Sequence, residues 1–92
     1  MESVCVHAYA SGVVQGVCYR AFVWENALQI GVTGWVRNLP DGRVEAEIEG
    51  DRAAVNRLLD AMKVGPRMAH VTGVVITEEP FQNRYTEFRV RS

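Results

Sequence analysis

The sequence has few cysteines, no long apolar run and no excess of charge of either sign. Two cysteines are too few for a disulfide scaffold and lack the spacing of a zinc site, so we expect free thiols, no metal and no cofactor. No stretch approaches the ~18 consecutive apolar residues of a membrane span, and the start of the sequence lacks signal-peptide features. We therefore expect a cytoplasmic protein that does not bind membranes.

The charge balance also restricts the partners. Lysine and arginine total 10 and aspartate and glutamate total 11, a net charge of -1. This balance provides no broad basic surface for nucleic acid, so an anion would have to be bound locally. The 92 residues contain no repeat or linker, and we expect one domain over residues 1–92 that is a monomer.

Apolar periodicity predicts five strands and two helices. The first strand alternates from Val4 to Ala10, and the first helix runs from Ala21 until Gly31 ends it. The second helix begins after Asp51 as N-cap and closes at Gly65. The remaining predicted strands are Trp35 to Leu39, Arg43 to Glu49, Ala69 to Thr77 and a short one at Glu87 to Val90.

The element order β-α-β-β-α-β, followed by a short extra strand, predicts an α+β fold of the ferredoxin-like type. Split β-α-β units of this kind form an antiparallel sheet with both helices on one face. Glu45, Glu47 and Glu49 alternate with apolar residues, so we expect them on the solvated face of the sheet. His7 and His70 are likewise expected at the surface, and Arg37 and Arg43 are expected to be solvated charges.

The segment from Gly12 to Arg20 joins the first strand to the first helix and has the chemistry of a phosphate cradle. A helix N-terminus presents unpaired N–H groups and the positive end of the helix dipole. Gly16 lets the backbone approach an anion closely, and Arg20 adds a planar fork of donors. The predicted phosphate-binding loop consists of Gln15, Gly16, Val17, Cys18, Tyr19 and Arg20.

Together with a second block, Gly34 to Val44 with a following Gly50, this segment resembles the acylphosphatase family. The signatures G-x-V-Q-G-V-x-aromatic-R and G-aromatic-small-basic-N-x-x-x-G-x-V are matched at every specified position, and the resemblance runs from about Val4 to Arg91. It implies that Arg20 binds phosphate and that Asn38 positions the attacking water. It also implies small acyl phosphates such as acetyl or carbamoyl phosphate as substrates, with inorganic phosphate as product.

The residues themselves suit this chemistry. The carboxylate of an acyl phosphate leaves easily, so positioning and charge stabilisation suffice without a metal or a strong acid. An amide such as that of Asn38 can both donate and accept hydrogen bonds, which suits it to orient a water molecule. Cys18 lies near the helix start, but no histidine is close in sequence to act as its base, so we expect no nucleophilic role for it.

Two other functions share the predicted fold. RNA-recognition domains stack bases on aromatic residues of the central strands, but the third strand here carries glutamates and no aromatic residue. An accessory binding or regulatory domain without turnover, as in hydrogenase-maturation proteins, remains the main alternative to an enzyme.

Overall fold

The computed structural model describes residues 2–92 and contains two helices and five strands in the predicted order. The bounds differ from the predicted ones by a few residues at the element ends. In chain order the elements are β1 Ser3–Val13, α1 Tyr19–Ile30, β2 Thr33–Asn38, β3 Val44–Asp51, α2 Arg52–Val64, β4 His70–Glu79 and β5 Phe88–Arg91.

The strands form one sheet in the order β4-β1-β3-β2-β5. The first four pair antiparallel, as the ferredoxin-like prediction requires. The short strand β5 instead pairs parallel to β2, which makes the five-stranded sheet mixed. This arises because residues 80–87 cross from the β4 edge to the β2 edge of the sheet before the chain enters β5.

Both helices cover one face of the sheet, which confirms the predicted layers. Helix α2 packs on β1, β3 and β4, whereas α1 packs on β2 and β5 and contacts α2. The core between the layers comes from the alternating apolar residues of the strands and the inward positions of the helices. Its largest fully buried apolar side chains include Tyr19, Ile48, Leu58 and Met62.

The opposite side of the sheet, here called the outer face, differs from the prediction. Glu45, Glu47 and Glu49 were expected to be solvated, but their exposed fractions are 6%, 6% and 1%. The alternation of polar and apolar residues in β3 correctly predicts the side of the sheet on which these glutamates lie. It does not reveal that segment 80–87 and side chains of β1 and β2 cover that side. Buried carboxylates are stable only when they are paired, and all three have hydrogen-bond donors.

Two smaller expectations also need correction. Asp51 is the N-cap of α2, but its side chain makes no capping hydrogen bond. His7 is half-buried on the outer face, and Arg37 donates from Nε to Glu45 at 2.6 Å, so neither is simply solvated. Neither helix within residues 2–92 has the length and apolar character that a membrane crossing requires.

Candidate active site

The loop between β1 and α1 has two residues in the left-handed conformation, Gly16 with φ 74° and Cys18 with φ 63°. A Cβ atom added to Gly16 would meet nothing within 4 Å, so the glycine is needed for its conformation and not for space. Residues with positive φ reorient successive N–H groups and allow several of them to converge on one anion. These positive φ values give the loop a conformation that is compatible with an anion-binding concavity.

Helix α1 begins directly at this concavity. Cys18 is its N-cap, but the Cys18 side chain makes no capping hydrogen bond, and the first turn contains no acidic residue. The first intrahelical bond runs from Phe22 N–H to the Cys18 carbonyl at 3.0 Å. The N–H groups of the first turn thus keep their capacity to bind an anion, assisted by the helix dipole.

Arg20 lies in this first turn, where its positive charge opposes the dipole. Its Nη1 donates a hydrogen bond of 3.1 Å to the Arg91 carbonyl in β5. None of the ion pairs formed among residues 2–92 includes Arg20. The guanidinium is therefore oriented by the backbone of β5 while its charge is not neutralised by a carboxylate.

Asn38 is the last residue of β2 and faces the same region. Its Oδ1 atom is buried and accepts no hydrogen bond from any of the residues 2–92. A buried polar atom without a partner is uncommon, because desolvation costs about 1–3 kcal/mol. The Asn38 Oδ1 atom thus retains hydrogen-bonding capacity that residues 2–92 do not use.

These groups line one cleft of about 410 Å³ between the start of α1 and the ends of β2 and β5. Four residues of the predicted loop (Gly16, Cys18, Tyr19 and Arg20) line it together with Asn38. The lining is completed by residues that the sequence analysis did not select: Val14, Ala21, Trp24 and Val90. Trp24 lies one helical turn after Arg20 and is 37% exposed, and that spacing was a usable signal.

Three loop residues have mainly structural contacts. Tyr19 is buried and its hydroxyl donates to the Met62 carbonyl at 2.8 Å, while burial raises the pKa of Tyr19. Val17 packs against the core. Gln15 donates from Nε2 to the carbonyls of Leu39 and Arg43, at 2.7 and 2.9 Å, and so ties the loop to the turn that follows Asn38.

On the other side of the sheet, three potential metal ligands meet, although the spacing of the cysteines in the sequence indicated no metal site. Cys5, Glu47 and Glu79 bring one potential ligand atom each within 4.8 Å of one another. The three residues come from different strands, so no sequence spacing could reveal the group. Both cysteines are free, as expected, with Cys5 buried and Cys18 exposed.

Comparisons with known proteins agree on one family. The acylphosphatase family model matches residues 6–90. An acylphosphatase of Methylococcus capsulatus is 49% identical, over 92% of this chain and 92% of that protein. The crystal structure of acylphosphatase from Bacillus subtilis has a TM-score of 0.93 at 32% identity, over 97% of this chain and 99% of that one. The structure of an acylphosphatase from Coxiella burnetii has a TM-score of 0.91 at 38% identity, over 97% and 93% of the two chains. A family match across nearly the whole chain, together with the shared fold, shows that this chain belongs to the acylphosphatase family of acyl phosphate-hydrolysing enzymes.

Proposed function

We propose that the cleft hydrolyses the carboxyl–phosphate bond of small acyl phosphates by direct attack of water. In this proposal Arg20 and the loop of residues 15–20 bind the phosphate, and Asn38 orients the water. The observation that carries it is the convergence of an unpaired Arg20, an uncapped helix N-terminus and the free Asn38 Oδ1 atom on one cleft.

Phosphate binding depends mainly on Arg20. A helix N-terminus contributes about 0.3–1 kcal/mol to holding an anion, and ~2 kcal/mol when partly buried. A charge-assisted hydrogen bond adds about 1.5–3 kcal/mol, and the planar guanidinium can form two of them with phosphate oxygens. The contact with the Arg91 carbonyl fixes the orientation of Arg20 before the substrate arrives, which lowers the ordering cost of binding.

The chemical step needs little more than orientation. The water oxygen forms a bond to phosphorus while the bond from phosphorus to the acyl oxygen breaks, and the carboxylate leaves without protonation. A proton of the water passes to a phosphate oxygen, so no protein base is required. Asn38 Oδ1 accepts a hydrogen bond from the water and holds it for in-line attack, while the N–H groups and Arg20 stabilise charge on the equatorial oxygens.

The size and lining of the cleft favour small substrates. About 410 Å³ accommodates a phosphoryl group with a short acyl chain. Trp24 and Val90 supply apolar surface beside the polar groups, against which the acyl group can pack. Acetyl and carbamoyl phosphate are therefore suitable first substrates.

The test is phosphate release from these two substrates, with a chelator present, by the parent chain and by Asn38→Ala and Arg20→Lys. We expect turnover without added metal. Asn38→Ala should lower kcat about 10²–10³-fold with little change in inhibition by phosphate or sulfate. Arg20→Lys should weaken that inhibition, since a point charge cannot replace the planar fork. Arg57→Lys, at an exposed position of α2, is the matched control and should behave as the parent.

Specific outcomes would contradict the proposal. A stable Asn38→Ala variant with near-parental kcat would remove Asn38 from the mechanism, and unchanged phosphate inhibition in Arg20→Lys would remove Arg20 as the anchor. Phosphate binding without any turnover would favour the alternative of an accessory binding or regulatory domain.

We also propose that the chain is a cytoplasmic, single-domain monomer without a nucleic-acid partner. The free thiols suit a reducing compartment, and the net charge of -1 does not favour nucleic acid. Because Glu45, Glu47 and Glu49 are covered and paired, these carboxylates are not available to repel a phosphate backbone. Light scattering of the purified chain tests the monomer.

A further inference from the structure

We propose a second site, on the outer face of the sheet, that binds a divalent cation of the zinc type through Cys5, His7, Glu47 and Glu79. It shares no residue with the cleft and does not depend on the proposed function. Thiolate, imidazole and carboxylate are the ligands that Zn²⁺ binds in proteins.

Strand register brings the four residues together. His7 in β1 lies opposite Glu47 in β3, and Cys5 in β1 lies opposite Glu79 in β4. Cys5 and His7 are two residues apart on one strand, so their side chains emerge on the same face. Cys5 and His7 thus lie on the strand between the other two, with Glu47 on one flank beside His7 and Glu79 on the other flank beside Cys5.

The separations of His7 from the two carboxylates are close to those of a tetrahedral site. His7 Nδ1 lies 3.3 Å from Glu47 Oε1 and 3.9 Å from Glu79 Oε1. The ligand atoms of Cys5, Glu47 and Glu79 all lie within 4.8 Å of one another. Zinc bonds of about 2.0–2.3 Å place neighbouring ligands of a tetrahedron about 3.3–3.8 Å apart. The His7 separations are already near this range, and the Cys5, Glu47 and Glu79 side chains would have to rotate toward one another for all four ligands to bind one ion.

The surroundings already orient the imidazole as a metal site does. His7 Nε2 donates to Glu45 Oε2 at 2.6 Å, and Glu45 accepts in turn from Arg37 Nε at 2.6 Å and from the Tyr9 hydroxyl at 3.2 Å. A histidine ligand commonly donates its other ring N–H to a carboxylate in this way. The remaining nitrogen, Nδ1, then faces Glu47 and Glu79.

Charge on the outer face also favours a cation. The carboxyl groups of Glu47 and Glu79 approach each other within 4.8 Å, and the Glu47 carboxyl raises the pKa of Glu79. Two carboxylates in contact need a shared proton or a cation between them. Arg84 and Tyr85 donate to Glu47 through Oε2, which leaves Oε1 toward the cluster. The charged groups that face the site include more acids than bases. The acids are Glu45, Glu47, Glu49 and Glu79, and the bases are Arg37, Arg84 and His7.

The thiol is consistent with the same interpretation. Cys5 is fully buried, and burial together with the Glu47 charge raises its pKa to about 11. A bound metal ion favours the thiolate, so binding displaces the Cys5 proton into solvent. Because the site lies away from the cleft, the ion should stabilise the sheet and leave turnover unchanged.

Chelator-treated protein is titrated with Zn²⁺ in a calorimeter, and its thermal unfolding is measured with and without Zn²⁺. Both measurements use a Cys18→Ser background, which removes the exposed thiol. Glu79→Gln deletes one ligand, and Glu78→Gln at the next position is the matched control, because Glu78 pairs with Arg52 outside the site. We expect one Zn²⁺ per chain, a rise in Tm, and at least about tenfold weaker binding in Glu79→Gln but not in Glu78→Gln. Co²⁺ should give the charge-transfer absorption of a thiolate ligand, which only Cys5 can supply in this background.

Three results would overturn the site. One is the absence of stoichiometric Zn²⁺ binding, and another is equal affinity in Glu79→Gln and Glu78→Gln. The third is a Co²⁺ complex without thiolate absorption. Acyl phosphate turnover of the chain that retains Cys18, measured with and without Zn²⁺, separately reports on the proposed function.

Discussion

Gln15 connects the two halves of the candidate active site, and its removal should affect both stability and turnover. Its single amide group donates to two carbonyls, those of Leu39 and Arg43, on either side of the turn between β2 and β3. Asn38 immediately precedes that turn, whereas Arg20 follows the loop that contains Gln15. The Gln15 amide therefore sets the distance between the two proposed catalytic groups.

The structure limits how much Gln15→Ala can lower the free energy of unfolding. Each neutral hydrogen bond contributes about 0.5–1.5 kcal/mol, and orphaned carbonyls would add a desolvation penalty. Here both carbonyls keep a backbone partner, since Leu39 N–H donates to the Arg43 carbonyl at 2.8 Å and Gly42 N–H to the Leu39 carbonyl at 3.2 Å. The penalty is thus small, and we expect a loss of about 1–2 kcal/mol, with about 4–8 °C of Tm per kcal/mol for a domain of this size.

Gln15→Glu provides a sharper test with the same shape. An ionised carboxylate cannot donate and would face two carbonyl oxygens, so this variant should be less stable than Gln15→Ala at neutral pH. The folded pKa of the new carboxyl is then raised above its unfolded value of about 4.3. The stability it contributes is present below about pH 4.3 and is lost as pH rises through the folded pKa.

The assays are thermal unfolding between pH 3 and pH 7, kcat for acetyl phosphate, and inhibition by phosphate. We expect kcat to fall more than phosphate affinity, because the loop keeps its own anion-binding groups while Asn38 is displaced. Gln29→Ala, at an exposed position of α1, is the control. Parental Tm and kcat in Gln15→Ala would refute the connecting role.

Two further predictions concern stability. Gly34→Ala should lower the free energy of unfolding by more than about 2 kcal/mol, because φ is 136° and the new Cβ would overlap the Glu47 carbonyl oxygen. The control is Gly73→Ala, where a Cβ meets nothing within 4 Å, and it should unfold at nearly the parental midpoint. Burial opposes ionisation of Glu45, but hydrogen bonds from Arg37, His7 and Tyr9 outweigh burial and lower the pKa of Glu45. The stability that ionised Glu45 contributes is therefore present above about pH 4.3, the pKa in the unfolded chain, and is lost as pH falls through the pKa in the folded chain. Thermal unfolding from pH 7 to pH 3 should show this loss, and an equally large acid effect in Arg37→Met would contradict it.

Local sequence explains most of what could be foreseen about the site. The proposed phosphate-binding loop is contiguous in sequence. Its glycine, helix start and arginine are close neighbours along the chain, so Gly16 and Arg20 can be selected without a structure. Asn38 was selected from the second sequence block, Gly34 to Val44, and it lines the same cleft as Gly16 and Arg20. The role of Arg91 was not foreseeable, because its carbonyl reaches Arg20 only after β5 has paired with β2.

The outer face shows why the remaining features escaped prediction. Alternation in β3 assigns Glu45, Glu47 and Glu49 to one face but carries no information about what covers that face. The cover includes residues 80–87, which have no apolar period and look like an ordinary loop. Burial of these glutamates, and the meeting of Cys5 with Glu47 and Glu79, depend on contacts between segments far apart in the chain.

The position of β1 between β3 and β4 also governs how the chain can fold. One partner of β1 follows α1 and β2, and the other follows α2, so neither ladder can form until long chain loops have closed. Such high contact order predicts refolding in milliseconds to seconds, well behind helical domains of the same size. During synthesis β1 leaves the ribosome long before β4 and exposes two unpaired edges in the meantime. This interior strand is therefore the segment most in need of protection from aggregation.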